Sequence, residues 1–246
     1  MSFKTLQNFS HINNKHLSLD LYEVWLTLHG YLWFHTIAIP TNIGWVHQAS
    51  ITIHNYPLIL GFLGYPVEES YANIIGSPSY NIIRSLAQRR KVYAFPAQVI
   101  NFLNRKVQFS SIGEGHVGIR GKTRLTYPER AFNTVLLPGS KLKTYLLVSS
   151  DFNFPEYIRI GSRRAGILNA NYIKLEYSIG EHLEITHPAN SFDSSLNNEG
   201  VIILWHKGGN IVTMTVAPKV LVAKKEGRDG VIEKTILAYP NNILGE

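Results

Sequence analysis

Three arginines stand around one glycine in the stretch "EYIRIGSRRAGIL", from Glu156 to Leu168. Tyr157-Ile158-Arg159-Ile160 reads as a strand, Gly161 ends it, and Ser162, Arg163 and Arg164 fill a turn before Gly166 returns the chain to apolar residues. A turn needs only the glycine and the serine. Arg159, Arg163 and Arg164 add guanidinium groups that grip a phosphate through paired N–H donors. Peptide N–H groups at a glycine break can join them in cupping an anion. The alternative is a surface turn whose arginines are simply solvated.

Other cations alternate with aromatic rings. His54 to Pro57 ("HNYP"), Gly30 to Phe34 ("GYLWF") and Arg89 to Tyr93 ("RRKVY") each hold rings, with a cation or histidine in or beside them. Single-stranded nucleic acid is held by that combination, cations on phosphate and rings on bases. His54, Tyr56, Arg89 and Arg90 are therefore candidate contacts, against the alternative that the rings, Trp25 and Phe34 among them, belong to the core. A further group lies in residues 101–134, where Arg105, Lys106, Arg120, Lys122, Arg124 and Arg130 face only Glu114 and Glu129. With "IGEGHVGIRGK" inside it, this segment reads as a basic, glycine-rich excursion, a mobile hairpin or loop leaving the core.

Catalytic and metal-binding patterns are poorly represented. Four of the ten histidines, His29, His35, His47 and His54, fall close together, but none pairs with another at the i, i+4 spacing of a helical metal site. No G-x-S-x-G, Walker or dinucleotide-binding fingerprint is present. "GEGHVG" has three glycines without a strand before it or a helix after it. Carboxylates are few and scattered, which argues against a two-carboxylate acid–base pair. The expectation is a protein without cofactor or metal.

Composition bounds the class. The chain has 246 residues, a formal charge of +7 and 17% charged residues, with a sequence pI near 9.5. Excess positive charge on an otherwise neutral polar surface favours a phosphate-rich partner. With no cysteine, disulfides and thiolate metal sites are excluded. "MSFKTLQNFSHINNKHLSLD" has no apolar stretch of the kind a signal peptide carries. No window approaches the roughly 20 apolar residues of a membrane span. A soluble, cytoplasmic protein is expected, with residues 1–19 a polar tail and residues 20–246 a single domain.

The elements that must hold these residues can be read from periodicity. Residues 20–29 alternate, with Tyr22, Val24, Leu26 and Leu28 as the core face of a first strand. "GYLWFHTIAI" continues as a second extended piece. Asn55 can cap a helix through "YPLILGFLG" with Pro57 in its first turn. Ser79 can cap "YNIIRSLAQRR", whose Ile82, Ile83 and Leu86 form an apolar stripe and whose Arg89 and Arg90 suit the negative end of the helix dipole. "KVYAFPA" is a strand stopped at Pro96. "LKTYLLVS", "YIRI", "YIKLEY", "VIILW", "IVTMTVA" and "VIEKTILAY" follow as strands. Helices early and strands late give an α+β fold with an antiparallel sheet.

In this order and spacing, "LYEVWLTLHGYLWFHT", "IHNYPLILGF", "VYAFPA" and "YIRIGSRRAGIL" resemble a Cas protein. That family is the RAMP-type subunit that caps the guide-RNA 5′ end in the type I-D CRISPR surveillance complex (Cascade). The resemblance spans roughly residues 20–240 and is most specific at "TLHGYLWF", "IHNYPL" and "RIG". It implies a ferredoxin-like, RRM-related core, binding to the crRNA 5′ handle, and contact with the large subunit and the first helical backbone subunit. It implies no catalysis, since a separate subunit cuts the guide precursor. Relatives in other subtypes send a thumb across the guide, and residues 101–134 are the candidate here; the strand they reach is the guide or target DNA near the PAM. "HKGGNI", His206 to Ile211, has the glycines of a RAMP loop but a single lysine. The competing reading is a metal-independent endoribonuclease that processes CRISPR precursor RNA, with His54, Tyr56 and Arg89 supplying proton transfer and charge. A generic single-strand binder is a third.

Overall fold

A computed structural model describes residues 19–32, 37–41, 44–48, 51–64, 80–110, 130–161, 166–196, 200–205, 208–227 and 229–244. The chain begins with β1 (Leu19–Leu28), β2 (Ile37–Thr41), β3 (Gly44–Gln48) and β4 (Thr52–Ile53), then helices α1 (Asn55–Phe62) and α2 (Tyr80–Arg90). Next come β5 (Val92–Ala94), β6 (Ala97–Asn101), β7 (Asn104–Ser110), β8 (Arg130–Leu136), β9 (Lys141–Ser149), β10 (Tyr157–Ile160) and the long β11 (Gly166–Glu184). It ends with β12 (Ala189–Asn190), β13 (Val201–Leu204), β14 (Ile211–Thr213), β15 (Val216–Glu226), β16 (Ile232–Ala238) and a short helix α3 (Asn241–Leu244). The α+β class with a mostly antiparallel sheet is as the periodicity implied.

Strand β1 is the centre. It pairs antiparallel with β11, Leu21 opposite Leu175 through Leu28 opposite Leu168, and on its other edge with β9, Leu19 opposite Ser149 through Thr27 opposite Lys141. The nine-stranded sheet runs β16-β15-β11-β1-β9-β6-β4, with β10 added on β11 and β5 on β9. Smaller sheets of order β12-β14-β13 and β2-β3-β8-β7 accompany it. In the latter, β3 and β8 run parallel.

A central strand is buried on both faces, and that corrects the simple alternation expected of β1. Val24, Leu26 and Leu28 are buried as expected, but Leu19, Leu21 and Glu23 are buried too, and Tyr22 is only half-buried against the Phe154 ring. Leu21 and Glu23 lose their solvent because β15 and β16 reach that end of the opposite face. Lys225 of β15 bonds Glu23, and Thr235 of β16 meets the Tyr145 hydroxyl. Each fully buried Leu or Val contributes about 1.5–3 kcal/mol relative to exposure.

Helix α1 is capped by His54, not Asn55. The His54 imidazole Nδ1 accepts the Tyr56 N–H, and Asn55 is the first helical residue. Its other side chains, Leu58, Ile59, Leu60 and Phe62, are buried. Gly61 lies so close to β10 that a Cβ there would sit 2.9 Å from Ile160 Cγ2 and 3.4 Å from the Arg159 carbonyl. The glycine thus lets α1 lie directly on the arginine-bearing strand. Along α2, Ile83 and Leu86 are buried but Ile82 is 46% exposed. The buried stripe is Ile83, Leu86 and Ala87, with Tyr80 and Arg84 half-buried along its edge.

The strand of "KVYAFPA" stops before Pro96, at Ala94, and β6 begins at Ala97 and pairs with β9. "IVTMTVA" is two strands, β14 and β15, broken at Met214 with φ of 51°. In the described part of residues 101–134, β7 and β8 form an antiparallel hairpin, from Asn104 opposite Leu136 to Ser110 opposite Arg130, and join the four-stranded sheet. The polar tail lies outside the described residues, except that Leu19 already belongs to β1. The Ser79 cap, residues 33–36 of the second extended piece and residues 111–129 of the excursion also lie outside them.

Candidate nucleic-acid interface

The described candidate cations fall on three elements. Arg159 projects from β10, is exposed, and is followed by Gly161 with φ of 86°. Its neighbours Arg163 and Arg164 lie outside the described residues. Arg89 and Arg90 are exposed in the last turn of α2, where Arg89 Nε also donates to the Ser85 carbonyl at 3.3 Å. Arg89 thus partly closes its own helix end, as cations near a C-terminus do. Arg105 and Lys106 are exposed on β7, opposite Val135 and Thr134. Arg120, Lys122 and Arg124 lie outside the described residues.

His54 and Tyr56 have a different setting. Both are buried, at 4% and 1% exposure. Because His54 Nδ1 accepts the Tyr56 N–H, the neutral ring carries its proton on Nε2. That proton is donated to the Gly209 carbonyl at 3.1 Å. The Tyr56 hydroxyl donates to Asp193 Oδ1 at 2.7 Å and accepts from Arg84 Nε at 2.6 Å. Burial, then the adjacent Asp193 carboxylate, push the Tyr56 phenol far above its ordinary range.

Asp193 anchors this cluster. It is fully buried and accepts from Asn55 Nδ2 at 2.7 Å and the Tyr93 hydroxyl at 3.2 Å on Oδ2, and from Tyr56 and Arg84 on Oδ1. Burial pushes its carboxyl up, while the Tyr56 and Asn55 donors and the Arg84 charge pull the other way. A buried carboxylate is tolerable when each lone pair has a donor and a cation is near. Around it, Asn190 Nδ2 bridges the Asn55 Oδ1 at 3.0 Å and the Gly208 carbonyl at 3.2 Å. Arg84 reaches the Gly208 carbonyl at 3.4 Å.

The glycine loop at 208–209 is therefore tied by its carbonyls to residues of α1, α2 and the 190–193 turn. Above it, Phe192 is 50% exposed and stacks under the Arg84 guanidinium at 5.6 Å. The network can fix a loop in one position and present one cation–π pair at the surface. Groups of three or more His, Asp or Glu able to hold a metal ion do not occur among the described residues. Nor is any described helix long and apolar enough to cross a membrane.

Asp193, Arg84, Tyr93 and Asn190 were not singled out from the sequence. Arg84 left a signal: it occupies the buried face of α2, between Ile83 and Ala87, where an arginine needs a partner. Asp193, in "NSFDSS", reads as an ordinary polar turn, and only the tertiary fold brings it to Tyr56.

No curated protein matches the chain. Residues 19–204, from β1 through the Arg159 strand and the Asp193 turn to the end of β13, match the family described as Type I-D CRISPR-associated protein Cas5/Csc1, and the chain belongs to that family.

Proposed function

We propose that the protein is a non-catalytic RNA-binding subunit of a type I-D CRISPR surveillance complex, capping the crRNA 5′ handle and bridging the large subunit to the helical backbone subunit in antiviral defence. It would work in the cytoplasm. The observation that carries the reading is Arg159. Within the family-matched region, it stands exposed on β10, four and five residues before Arg163 and Arg164 in the sequence. Three arginines this close in sequence suit a sharply held RNA backbone. A ferredoxin-like, RAMP-type core is part of this reading, and the two helices between β1 and β9 are compatible with it.

The side chains that an endoribonuclease would use are otherwise engaged. His54 is held at both ring nitrogens, and the Tyr56 hydroxyl is bonded to Asp193 and Arg84. That supports a structural role for both, beneath the 208–209 loop. The Arg159→Ala/Arg163→Ala/Arg164→Ala variant tests the reading. It should fold normally, bind handle RNA more weakly and assemble poorly with the other operon products. Wild-type RNA binding by that variant would place the handle elsewhere. A specific cut in precursor RNA incubated with the purified chain in chelator would overturn the non-catalytic assignment.

A further inference from the structure

The strand register gathers a second set of groups on one face of the large sheet. Residues opposite each other in a ladder share a face. Lys141, Thr27, Asn169 and Tyr157 therefore form one row across β9, β1, β11 and β10. The adjacent row is Lys143, Trp25 and Asn171. On the far side of the first row, Arg159 lies opposite Ile167, whose carbonyl accepts the His29 N–H. Burial grades along this face. Tyr145 and Glu23, one row beyond Trp25, are closed in, whereas Tyr157 is 51% exposed and Lys141, Asn171, His29 and Arg159 are exposed.

Trp25 is held in place. Its indole N–H donates to Glu23 at 2.7 Å, and Glu23 is in turn gripped by Lys143 at 2.9 Å and Lys225 at 2.5 Å. Burial pushes the Glu23 carboxyl up, but the Lys225, Lys143 and Trp25 hydrogen bonds outweigh it and hold the group ionised. Its charge is thus cancelled by two lysines, and Lys143 lies 5.6 Å from the Trp25 ring centre. At the other end, His29 meets the Tyr157 ring edge-on at 6.2 Å. The outcome is an open polar face with two rings, surplus positive charge and its one carboxylate neutralised among the described residues.

We propose that this face is a base-stacking platform for unpaired RNA, with Trp25 and Tyr157 receiving bases and Lys141, Lys143 and Arg159 meeting phosphates. The inference rests on the RNA-binding reading above and adds a site to it. Trp25 and Tyr157 are two strands and one row apart, roughly 12 Å at ordinary strand spacing. Stacked bases rise about 3.4 Å per step, so one continuous base stack does not fit both rings side by side. The occupant is a strand with splayed bases, the form in which single-stranded RNA is read. A duplex hides its base faces and has nothing to offer these rings.

The test uses the full chain and an oligouridylate carrying 5-iodouridine. Ultraviolet crosslinks should map to Trp25 or Tyr157. Tyr157→Ala should weaken oligouridylate binding by about 5- to 100-fold, the usual effect of removing one stacking ring, without changing the salt slope. Tyr157→Phe should restore it, since the ring and not the hydroxyl is used. Trp25→Leu should act like Tyr157→Ala, and if it fails to fold the exposed Tyr157 pair decides alone. Wild-type affinity in Tyr157→Ala with crosslinks elsewhere would overturn the platform while leaving the RNA-binding reading intact. A wild-type chain that binds neither oligouridylate nor handle RNA would overturn both.

Discussion

The Asp193 carboxylate accepts the Tyr56 hydroxyl at 2.7 Å, joining the turn after β12 to the first turn of α1 across most of the chain. Three more donors, from Asn55, Tyr93 and Arg84, converge on the same two oxygens. Asp193→Ala would leave two phenols, an amide and a guanidinium without their acceptor. Breaking a buried ion pair from one side costs about 3–5 kcal/mol. The Arg84 side chain is 25% exposed and so partly hydrated, which lowers the expected loss to about 2–4 kcal/mol. Asp193→Asn should lose less, because its carbonyl still accepts from Tyr56. Urea unfolding of both variants checks the order; equal stability of wild type and Asp193→Ala would mean the network is not what holds α1 to this turn.

A second buried group makes stability depend on pH. His187 Nε2 donates to the Pro96 carbonyl at 2.8 Å, with the Tyr145 and Phe95 rings around it and the Lys143 charge near enough to act on it. Burial lowers its pKa from 6.5 to about 4, against the opposing pull of the Pro96 bond. The unfolded chain therefore binds a proton that the folded chain refuses between these values. The stability is fully present above about pH 6.5 and drains as pH falls toward about 4. By pH 4.5 the loss from this residue should reach about 2–3 kcal/mol. His187→Gln, which keeps a donor for Pro96, should flatten that part of the stability–pH curve. Parallel curves for the two proteins would show that His187 does not titrate in this window.

What the sequence made legible follows from how local each signal was. The β1 alternation and the α1 and α2 apolar runs are contained within single elements, so they were readable apart from cap and stripe details. The α1 cap was misplaced by one residue because Asn is the more usual capping type, whereas the His54 ring does the same work with Nδ1. The cations on β10, α2 and β7 were visible because exposed charge needs no partner. Asp193 was not, because four donors from distant segments give it meaning. For Trp25 the core remained an alternative in the sequence, and the alternation of β1 put it on the face opposite Val24, Leu26 and Leu28. The register adds its cross-strand neighbours, Lys143 and Asn171, which no local signal could supply.

The 208–209 loop allows a sharper test of the network. Gly209 has φ of 115°, a conformation that side chains disfavour, and a Cβ there would lie 1.9 Å from Asn190 Oδ1. Asn190 cannot swing away freely, since its amide holds Asn55 Oδ1 and the Gly208 carbonyl and its oxygen accepts the Phe192 N–H. Gly209→Ala should therefore cost about 2 kcal/mol or more and make the loop an early site of proteolytic cleavage. A protease pattern and unfolding midpoint identical to wild type would show that the loop tolerates displacement.

The β7–β8 hairpin offers a prediction about electrostatics. Arg105 and Lys106 are exposed on β7, and Arg120, Lys122 and Arg124 belong to the segment between the two strands. If the hairpin acts as a thumb of the kind relatives in other subtypes send across the guide, these five cations lie along an RNA backbone. Each phosphate neutralised on a single strand contributes about 0.7 to the slope of log affinity against log salt. Replacing all five with Ala should flatten that slope by about two to three units if three or four of them touch phosphate. Affinity should fall alike for all sequences, because phosphate contacts position a strand without reading it. The assembled complex is the place to measure this, with guide RNA bound and salt varied. An unchanged slope there would assign the hairpin to protein docking, and its charge would then match an acidic surface on a neighbouring subunit.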